Sequence, residues 1–229
     1  MRTLPTVLVC LNAWFWGSSV HAEIRGRVLF RGKSPAPKSI DFSADPACWR
    51  LQNHQPKKLV AVNEDRVVDA FVYLEDPPEP PHRVWEAAEL NVEGCAFSPR
   101  VFGMLVGQKL RVTNQDPTLH TVHVRAAEGG FLKSLPRKGQ AVEKRMRSPQ
   151  VMVPIESRSH PWMRAYMAVL EHPYFGVTGR DGTFAFDTTG LPDGTYRVRI
   201  WHPELGEATG TVRVIDGRGQ LVLTLERME

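Results

Sequence analysis

The sequence carries little excess charge, and this argues against one large class of partners. Its 229 residues contain 29 Lys and Arg against 25 Asp and Glu, which gives a formal net charge of +4. Nucleic-acid-binding domains usually concentrate a stronger basic charge and carry a recognisable motif. No such motif is present in this sequence. We therefore expect no nucleic-acid partner.

The sequence also lacks the usual marks of a hydrolase. Ser157 and His160 would suit a nucleophile and a base, but no Gly-x-Ser-x-Gly turn accompanies them and no third member of a triad is evident. The carboxylates show no pairing that would indicate acid–base catalysis. We expect that the protein is not an enzyme.

A mostly apolar run lies near the N-terminus. Arg2 is followed by the run Leu8–Trp16 and then by Val20-His21-Ala22. A charged start, an apolar centre and a small residue at the end are typical of a secretory signal peptide. We expect residues 1–22 to be this signal and the mature protein to be periplasmic or secreted, without a membrane span.

Cysteine is scarce, with only three in the chain. Cys10 lies in the predicted signal peptide, so the mature chain keeps Cys48 and Cys95. In an oxidising compartment two cysteines usually form a disulfide. We expect a Cys48–Cys95 disulfide, which would stabilise the fold by about 4 kcal/mol in the chain-entropy model. It would leave no free thiolate for a metal.

Helical periodicity is also missing beyond residue 22, and the pattern is one of short alternating runs separated by Pro and Gly. This pattern predicts an all-β protein. Residues 39–63 are expected to be irregular, and Asp181-Gly182 and Asp193-Gly194 are typical of hairpin turns. The predicted strands are Ile24–Phe30, Val67–Leu74, Phe97–Val101, Leu110–Asn114, Thr121–Val124, Ala141–Met146, Val151–Ile155, Arg164–Leu170, Phe184–Phe186, Tyr196–Ile200, Val212–Ile215 and Leu221–Leu225.

A proline-rich segment, Asp76–His82, indicates a boundary, because proline removes the hydrogen-bond donors of a sheet and favours an extended chain. It divides the mature chain into an N-terminal β segment (23–82), a compact unit of six strands (83–171) that suggests a small sandwich or barrel, and a final β module (172–229). Residues 24–74 would pair with residues 176–225, so that the first and last parts enclose the middle one.

The most informative stretch is 157–169, where His160 and Met163 lie three residues apart in a loop that leads into a strand. Imidazole nitrogen and thioether sulfur are both ligands that copper favours. The stretch therefore points to a copper site.

Two segments resemble the cupredoxins. Residues 99–123 resemble their run of strand, Gly turn, strand, Asn and His-x-x-His, and residues 157–163 resemble the short ligand loop of the amicyanins. With His172-Pro-Tyr-Phe, Asp181-Gly-x-Phe and Trp201-His202, the mature chain is similar to exported cupredoxin-like or methylamine-utilisation proteins that append a carboxypeptidase-regulatory-like sandwich. The resemblance implies a cupredoxin-like Greek-key sandwich or barrel with a second small β-sandwich module.

The resemblance also implies a ligand set. His120 and His160 would be the two imidazole ligands, Met163 the axial ligand, and Asn114 would brace the ligand loops. Ser157 stands where these proteins have the Cys thiolate, and a hydroxyl is a poor ligand that cannot give a blue copper site. Arg100 is a second departure, since relatives often have His there. His123 alternates with His120 along a strand and faces the other side, and Met167 is expected in the core.

Two hypotheses follow. In the first, the protein binds copper at His120, His160 and Met163 without a thiolate, and serves copper handling or electron transfer with a periplasmic redox or copper-handling partner. In the second, a metal-free sandwich scaffold binds a protein or carbohydrate. The basic residues of 133–147 form either a solvated face or a docking surface for an acidic partner. The roles of His172 and His202 stay open.

Overall fold

A computed structural model of the protein describes residues 22–80 and 84–226. In this part of the chain it contains twenty β-strands and one short α-helix, which confirms the all-β prediction. The predicted signal peptide lies outside the described residues, apart from Ala22. Among the described residues, no helix is long and apolar enough to cross a bilayer.

The elements up to the proline-rich segment, in chain order, are β1 (Glu23–Arg31), β2 (Lys38–Ile40), α1 (Pro46–Leu51), β3 (Lys57–Leu59), β4 (Val62–Asn63), β5 (Arg66–Val67) and β6 (Phe71–Leu74). The following elements are β7 (Ala88–Glu93), β8 (Ala96–Ser98), β9 (Val101–Leu105), β10 (Lys109–Asn114), β11 (His120–Val124), β12 (Phe131–Leu135), β13 (Ala141–Arg145), β14 (Gln150–Glu156) and β15 (Arg164–Leu170). The last elements are β16 (Phe175–Val177), β17 (Thr183–Asp187), β18 (Gly194–His202), β19 (Gly206–Val214) and β20 (Arg218–Glu226).

Strands from both ends of the chain form one sandwich, which we call the outer sandwich. In its first sheet β1 pairs with β20 along one edge and with β17 and β5 along the other, and β4 follows β5. Its second sheet has the order β16-β6-β18-β19. Inward-facing side chains such as Ile24 and Val28 in the first sheet and Val72 and Ile200 in the second meet in one buried core. The segment 24–74 is thus paired with 176–225.

The middle of the chain forms a second sandwich, which we call the inner sandwich. One sheet has the order β13-β10-β7-β8 and the other has the order β12-β11-β14-β15-β9. Alternate residues of β10 and β11 point inward, so that Leu110 and Val112 lie in the same buried core as Val122 and Val124. Each such buried side chain stabilises the sandwich by about 1.5–3 kcal/mol.

The two sandwiches contact each other through an aromatic and aliphatic cluster that includes Phe71, Tyr73 and Phe175 from the outer sandwich. Gly103 of β9 has no room for a side chain there, because a Cβ would lie 2.6 Å from a Phe175 ring carbon and 2.8 Å from a Phe71 ring carbon. Arg100 crosses the same interface and reaches Glu204 at 2.9 Å and Asp69 at 3.6 Å. Arg100 therefore links the two sandwiches through ion pairs.

Residues 38–59 form a covering segment over one end of the inner sandwich. Strands β2 and β3 pair with each other, and α1 begins after Asp45, whose carboxylate accepts hydrogen bonds from the amides of Ala47 and Cys48. The predicted disulfide is confirmed: Cys48 of α1 is bonded to Cys95 in the turn between β7 and β8. Phe42 packs edge-on against Trp162 with ring centroids 5.5 Å apart.

Several local predictions differ from the structure. Residues 39–63 contain short strands and α1, although no regular structure was expected there. Asp181-Gly182 and Asp193-Gly194 do not form hairpins, because each turn connects strands of different sheets of the outer sandwich. The predicted strand Phe97–Val101 is interrupted at Pro99-Arg100, between β8 and β9. Glycine turns end a strand equally well whether the chain returns to the same sheet or crosses to the facing one.

Candidate metal centre

The structure brings His120 and His160 together inside the inner sandwich. His120 is the first residue of β11, and His160 lies in the loop between β14 and β15. Their Nδ1 atoms are 3.2 Å apart. His120 is fully buried, and His160 is 3% exposed. The loop is held by backbone hydrogen bonds from Met163 N to His160 O and from Ser157 N to Met163 O.

Each histidine also contacts a carboxylate through its other ring nitrogen. His120 Nε2 lies 2.9 Å from Asp116 Oδ2, and His160 Nε2 lies 2.9 Å from Asp45 Oδ2. Metal-binding histidines usually donate their second ring N–H to such a partner, which fixes the tautomer and the ring orientation. If both rings donate their Nε2–H in this way, the two Nδ1 atoms are the nitrogens that keep a free lone pair.

These four side chains form a row of three short polar contacts with too few protons. Asp116, His120, His160 and Asp45 make the contacts in that order, and a hydrogen bond at each of them needs one proton. Two neutral imidazoles bring two ring protons in total. Hydrogen bonds at all three contacts would therefore need one more proton, and a metal ion would be an alternative source of positive charge there.

Asp116 is fixed by more than its histidine. It is 2% exposed, and its carboxylate accepts hydrogen bonds from the amides of Gly94 and Cys95, each at 2.8 Å. Burial raises the pKa of Asp116, but the hydrogen bond from His120 and those two amides outweigh it, so the pKa lies below its ordinary value. Cys95 has a φ of 55°, which a non-glycine residue rarely adopts, and Asp116 helps to hold this turn.

Asp45 joins the covering segment to the site. It caps α1, and the hydrogen bond from His160 is the main reason that the pKa of its carboxyl lies below the ordinary value. Asp45 and Asp116 were not predicted from the sequence. Asp45 precedes His160 by 115 residues, so no motif spacing could connect them. The Asp45-Pro46 pair signals only the start of a helix.

Asn114 forms hydrogen bonds within the loop before His120. Its Oδ1 accepts a hydrogen bond from Asp116 N at 2.8 Å, and its Nδ2 donates to Thr118 O at 2.8 Å and Leu135 O at 2.9 Å. Asn114 is fully buried. These bonds set the position of Asp116 and, through it, of His120.

Ser157, at the position of the missing thiolate, belongs to a group of hydroxyls. Its Oγ accepts a hydrogen bond from His160 N at 3.2 Å and lies 3.1 Å from the hydroxyls of Thr121 and Ser159. The hydroxyl in contact with an imidazole is that of Ser159, whose Oγ is 3.2 Å from His160 Nδ1. Ser157 therefore stabilises the loop through its hydroxyl.

Met163 is 1% exposed and lies in the core of the inner sandwich, as does Met167. Trp162 packs against the ring of His160 with centroids 5.1 Å apart and donates its indole N–H to Cys95 O at 3.1 Å. Trp162 thus covers the site. His123 is only half-buried, and the alternation of β11 places it on the face opposite to His120.

His172 and His202 each accept hydrogen bonds from nearby backbone amides. His202 is 1% exposed, and its Nδ1 accepts hydrogen bonds from the amides of Glu204 and Leu205, both at 3.1 Å. His172 accepts a hydrogen bond from Tyr174 N at 3.3 Å and stacks on the Tyr174 ring. Burial lowers the pKa of each histidine to about 4. Both are therefore neutral at pH 7.

No protein-family model and no curated protein matches the chain. Partial matches to solved structures include a Cu-containing nitrite reductase from Thermus scotoductus SA-01, with 19% identity over 41% of this chain and 25% of that chain at a TM-score of 0.32. The oxidized form of an amicyanin mutant matches with 16% identity over 43% of this chain and 97% of its own at 0.33. A purple cupredoxin from Nitrosopumilus maritimus matches with 20% identity over 36% of this chain and 98% of its own, at a TM-score of 0.30. The chain spans a quarter of the nitrite reductase, and its solved structural neighbours are cupredoxins of low similarity.

Proposed function

We propose that this protein binds one copper ion through His120 and His160, without a thiolate. We further propose that it takes part in copper handling in the periplasm or outside the cell. The observation that carries the proposal is the pair of Nδ1 atoms, 3.2 Å apart, each on a ring whose Nε2 contacts a carboxylate. Hydrogen bonds at all three contacts of the row Asp116-His120-His160-Asp45 need one proton more than two neutral imidazoles carry, and a metal ion held by His120 and His160 would supply positive charge in its place.

The spacing of the two nitrogens fits a metal ion. Imidazole nitrogens bind a first-row metal such as zinc at about 2.0–2.1 Å, so two of them 3.2 Å apart could both hold the same ion. The thioether of Met163 and the hydroxyl of Ser159 are the candidates for further ligands that the loop offers. Imidazole with thioether favours copper, which would supply redox chemistry when bound.

The surroundings favour holding copper over exchanging electrons. Both rings are buried, and the Nε2 edge of His160 is covered by Asp45 and α1. Trp162 packs against the His160 ring, and Phe42 packs edge-on against Trp162. A partner would therefore meet the covering segment and not an imidazole edge. We infer a copper-handling role with a periplasmic partner.

The first test is the copper content of the oxidised mature chain after copper loading, by elemental analysis and electron paramagnetic resonance. We expect about one copper per chain, from the pair of adjacent Nδ1 atoms, and its loss in the His120→Ala, His160→Ala double variant. His123→Ala is the matched control, since His123 lies on the same strand and faces the other way. Loss of copper in the control, or retention in the double variant, would place the metal elsewhere.

A second test restores the missing ligand. Ser157→Cys should give the loaded protein an intense visible charge-transfer band, because residue 157 adjoins the hydroxyl that contacts His160 Nδ1. Ser148→Cys, outside the site, is the control and should stay colourless. A colourless Ser157→Cys protein with one copper bound would show that residue 157 does not face the metal. If copper is absent from the wild type as well, the metal-free scaffold hypothesis takes its place.

A further inference from the structure

The geometry points to a second metal site that exists only when the Cys48–Cys95 bond is reduced, formed by the two thiolates with His160 Nε2 and the Asp45 carboxylate. Its chemistry suits a thiophilic ion such as Zn²⁺. The site shares His160 with the proposed copper site but does not rest on it, because it uses the opposite ring nitrogen and needs no copper.

The sulfur–nitrogen distance already matches a tetrahedral zinc site. Cys48 Sγ lies 3.6 Å from His160 Nε2, and Asp45 Oδ2 lies 2.9 Å from the same nitrogen. For zinc with Zn–S of about 2.3 Å and Zn–N of about 2.0–2.1 Å, sulfur and nitrogen ligands stand about 3.6 Å apart. The donor atoms of Asp45, Cys48 and His160 all lie within 4.8 Å of one another. Cys95, the proposed fourth member, is the bonded partner of Cys48. Its sulfur groups with Asp116 and His120, so after reduction it must turn toward the first three donors.

The local chain holds these donors in place. Asp45 accepts the amide hydrogen of Cys48 at 3.0 Å, so the carboxylate and the sulfur are fixed on the first turn of α1. Cys95 is fixed from the other side, where its amide donates to Asp116. Both cysteines are fully buried beside Phe42 and Trp162. Reduction leaves the sulfurs free to separate to the roughly 3.8 Å that two zinc-bound thiolates need.

Electrostatics also favour a cation in the reduced state. The structure pairs Asp45 and Asp116 with the two histidines and, within the described residues, with no Lys or Arg. Two thiols that ionise beside two carboxylates would concentrate negative charge in a buried place. A divalent ion compensates this charge, and binding it releases the two thiol protons.

The histidine tautomers make the two sites exclude each other. If His160 Nε2 binds the second metal, its proton moves to Nδ1 and is donated to His120 Nδ1 at 3.2 Å, while His120 donates its Nε2–H to Asp116. The Nδ1 lone pair of His160 is then no longer free for copper. The state of the disulfide would thus decide which nitrogen of His160 binds metal.

The redox step is an ordinary thiol–disulfide exchange. A dithiol reductant gives two electrons and two protons to the Cys48–Cys95 bond, becomes a disulfide itself and leaves two thiols in this chain. Because both sulfurs are buried, the covering segment must open for this exchange. A chain that has not yet formed its disulfide reaches the same dithiol state without a reductant.

The test uses the mature chain, reduced without oxygen by a phosphine, with Co²⁺ as the probe for a zinc site. We expect one Co²⁺ per chain with a thiolate-to-cobalt charge-transfer band, and no such band in the oxidised chain. Asp45→Asn and His160→Ala should each weaken cobalt binding by at least about tenfold. Asp41→Asn is the matched control, since Asp41 is an exposed carboxylate of the same covering segment.

Thiol titration on the same samples counts the free thiols, and circular dichroism shows whether the reduced chain is folded. The absence of the band in a chain with two free thiols, whether folded or unfolded, would overturn the inference. Unchanged cobalt affinity in both Asp45→Asn and His160→Ala would overturn it as well. The Cys48→Ser, Cys95→Ser double variant should lose the cobalt band and keep copper at His120 and His160, so this inference and the copper proposal can fail separately.

Discussion

Replacing His202 by Asn should remove a defined part of the acid sensitivity of this protein. His202 is 1% exposed at the end of β18, and burial lowers its pKa to about 4. In an unfolded chain a histidine has a pKa of about 6.5. Between pH 6.5 and pH 4 the unfolded state therefore binds more protons than the folded state, so stability falls as the pH falls. Asn can keep the acceptor that Nδ1 offers to Glu204 N and Leu205 N, but it does not titrate.

The size of the effect follows from the two pKa values. Linkage from 6.5 unfolded to about 4 folded lowers the free energy of unfolding by about 3 kcal/mol between pH 7 and pH 4. Carboxylates also contribute to acid sensitivity, and His172 adds a smaller share because it is only half-buried. The informative quantity is therefore the difference between the wild type and the variant at each pH. We expect the wild type to lose about 3 kcal/mol more than His202→Asn over this range.

Urea unfolding at pH 7, 5.5 and 4, followed by circular dichroism, measures this difference. His54→Asn is the control, because His54 is exposed and its φ of 57° suits Asn. The control should follow the wild type at every pH. Equal pH dependence in the wild type and in His202→Asn would refute the reasoning, since it would show that the buried ring does not stay neutral.

Three further predictions concern other parts of the structure. Asp116→Asn should destabilise the protein by about 2–3 kcal/mol in urea unfolding, because one buried donor loses its acceptor. It should also weaken copper binding by about 10–100-fold in a competition titration. Cys48→Ser with Cys95→Ser should lower the free energy of unfolding by about 4 kcal/mol for a sequence separation of 47, and an unchanged urea midpoint would contradict it. Gly103→Ala should cost about 1–3 kcal/mol by overpacking against Phe175; thermal unfolding that matches the wild type would show that the interface yields.

Strands with clear alternation could be predicted from the sequence, and others could not. β1 and β10 alternate buried and exposed residues over their length and were predicted within a residue or two. β7 and β12 were missed, because only Leu135 is buried in β12 and only Leu90 and Val92 are buried in β7. Such strands are defined by their partners, and pairing between distant segments leaves little local signal.

In the candidate site, too, some residues could be predicted from the sequence and others could not. His120 and His160 could be predicted because they follow motif spacing within short segments, and Cys48 with Cys95 because two cysteines in a chain that is expected to be exported have one possible partner each. Asp45 could not, because its contact with His160 depends on how the covering segment folds back on the inner sandwich. A carboxylate is common on any surface, and only its neighbours in space reveal its role.

The pairing of β1 with β20 has a consequence for how the chain acquires its structure. Glu23–Arg31 aligns in parallel with Arg218–Glu226 over nine residues, so the first strand of the fold is completed by the last. Contacts of such long sequence separation form slowly, because a long chain must be ordered before they are made. During synthesis the outer sandwich cannot close until residue 226 has left the ribosome. The inner sandwich, in contrast, has all its strands by residue 170. The inner sandwich, which carries the candidate site, can therefore fold first. Ending the chain before Arg218 would leave one edge of β1 unpaired over its full length.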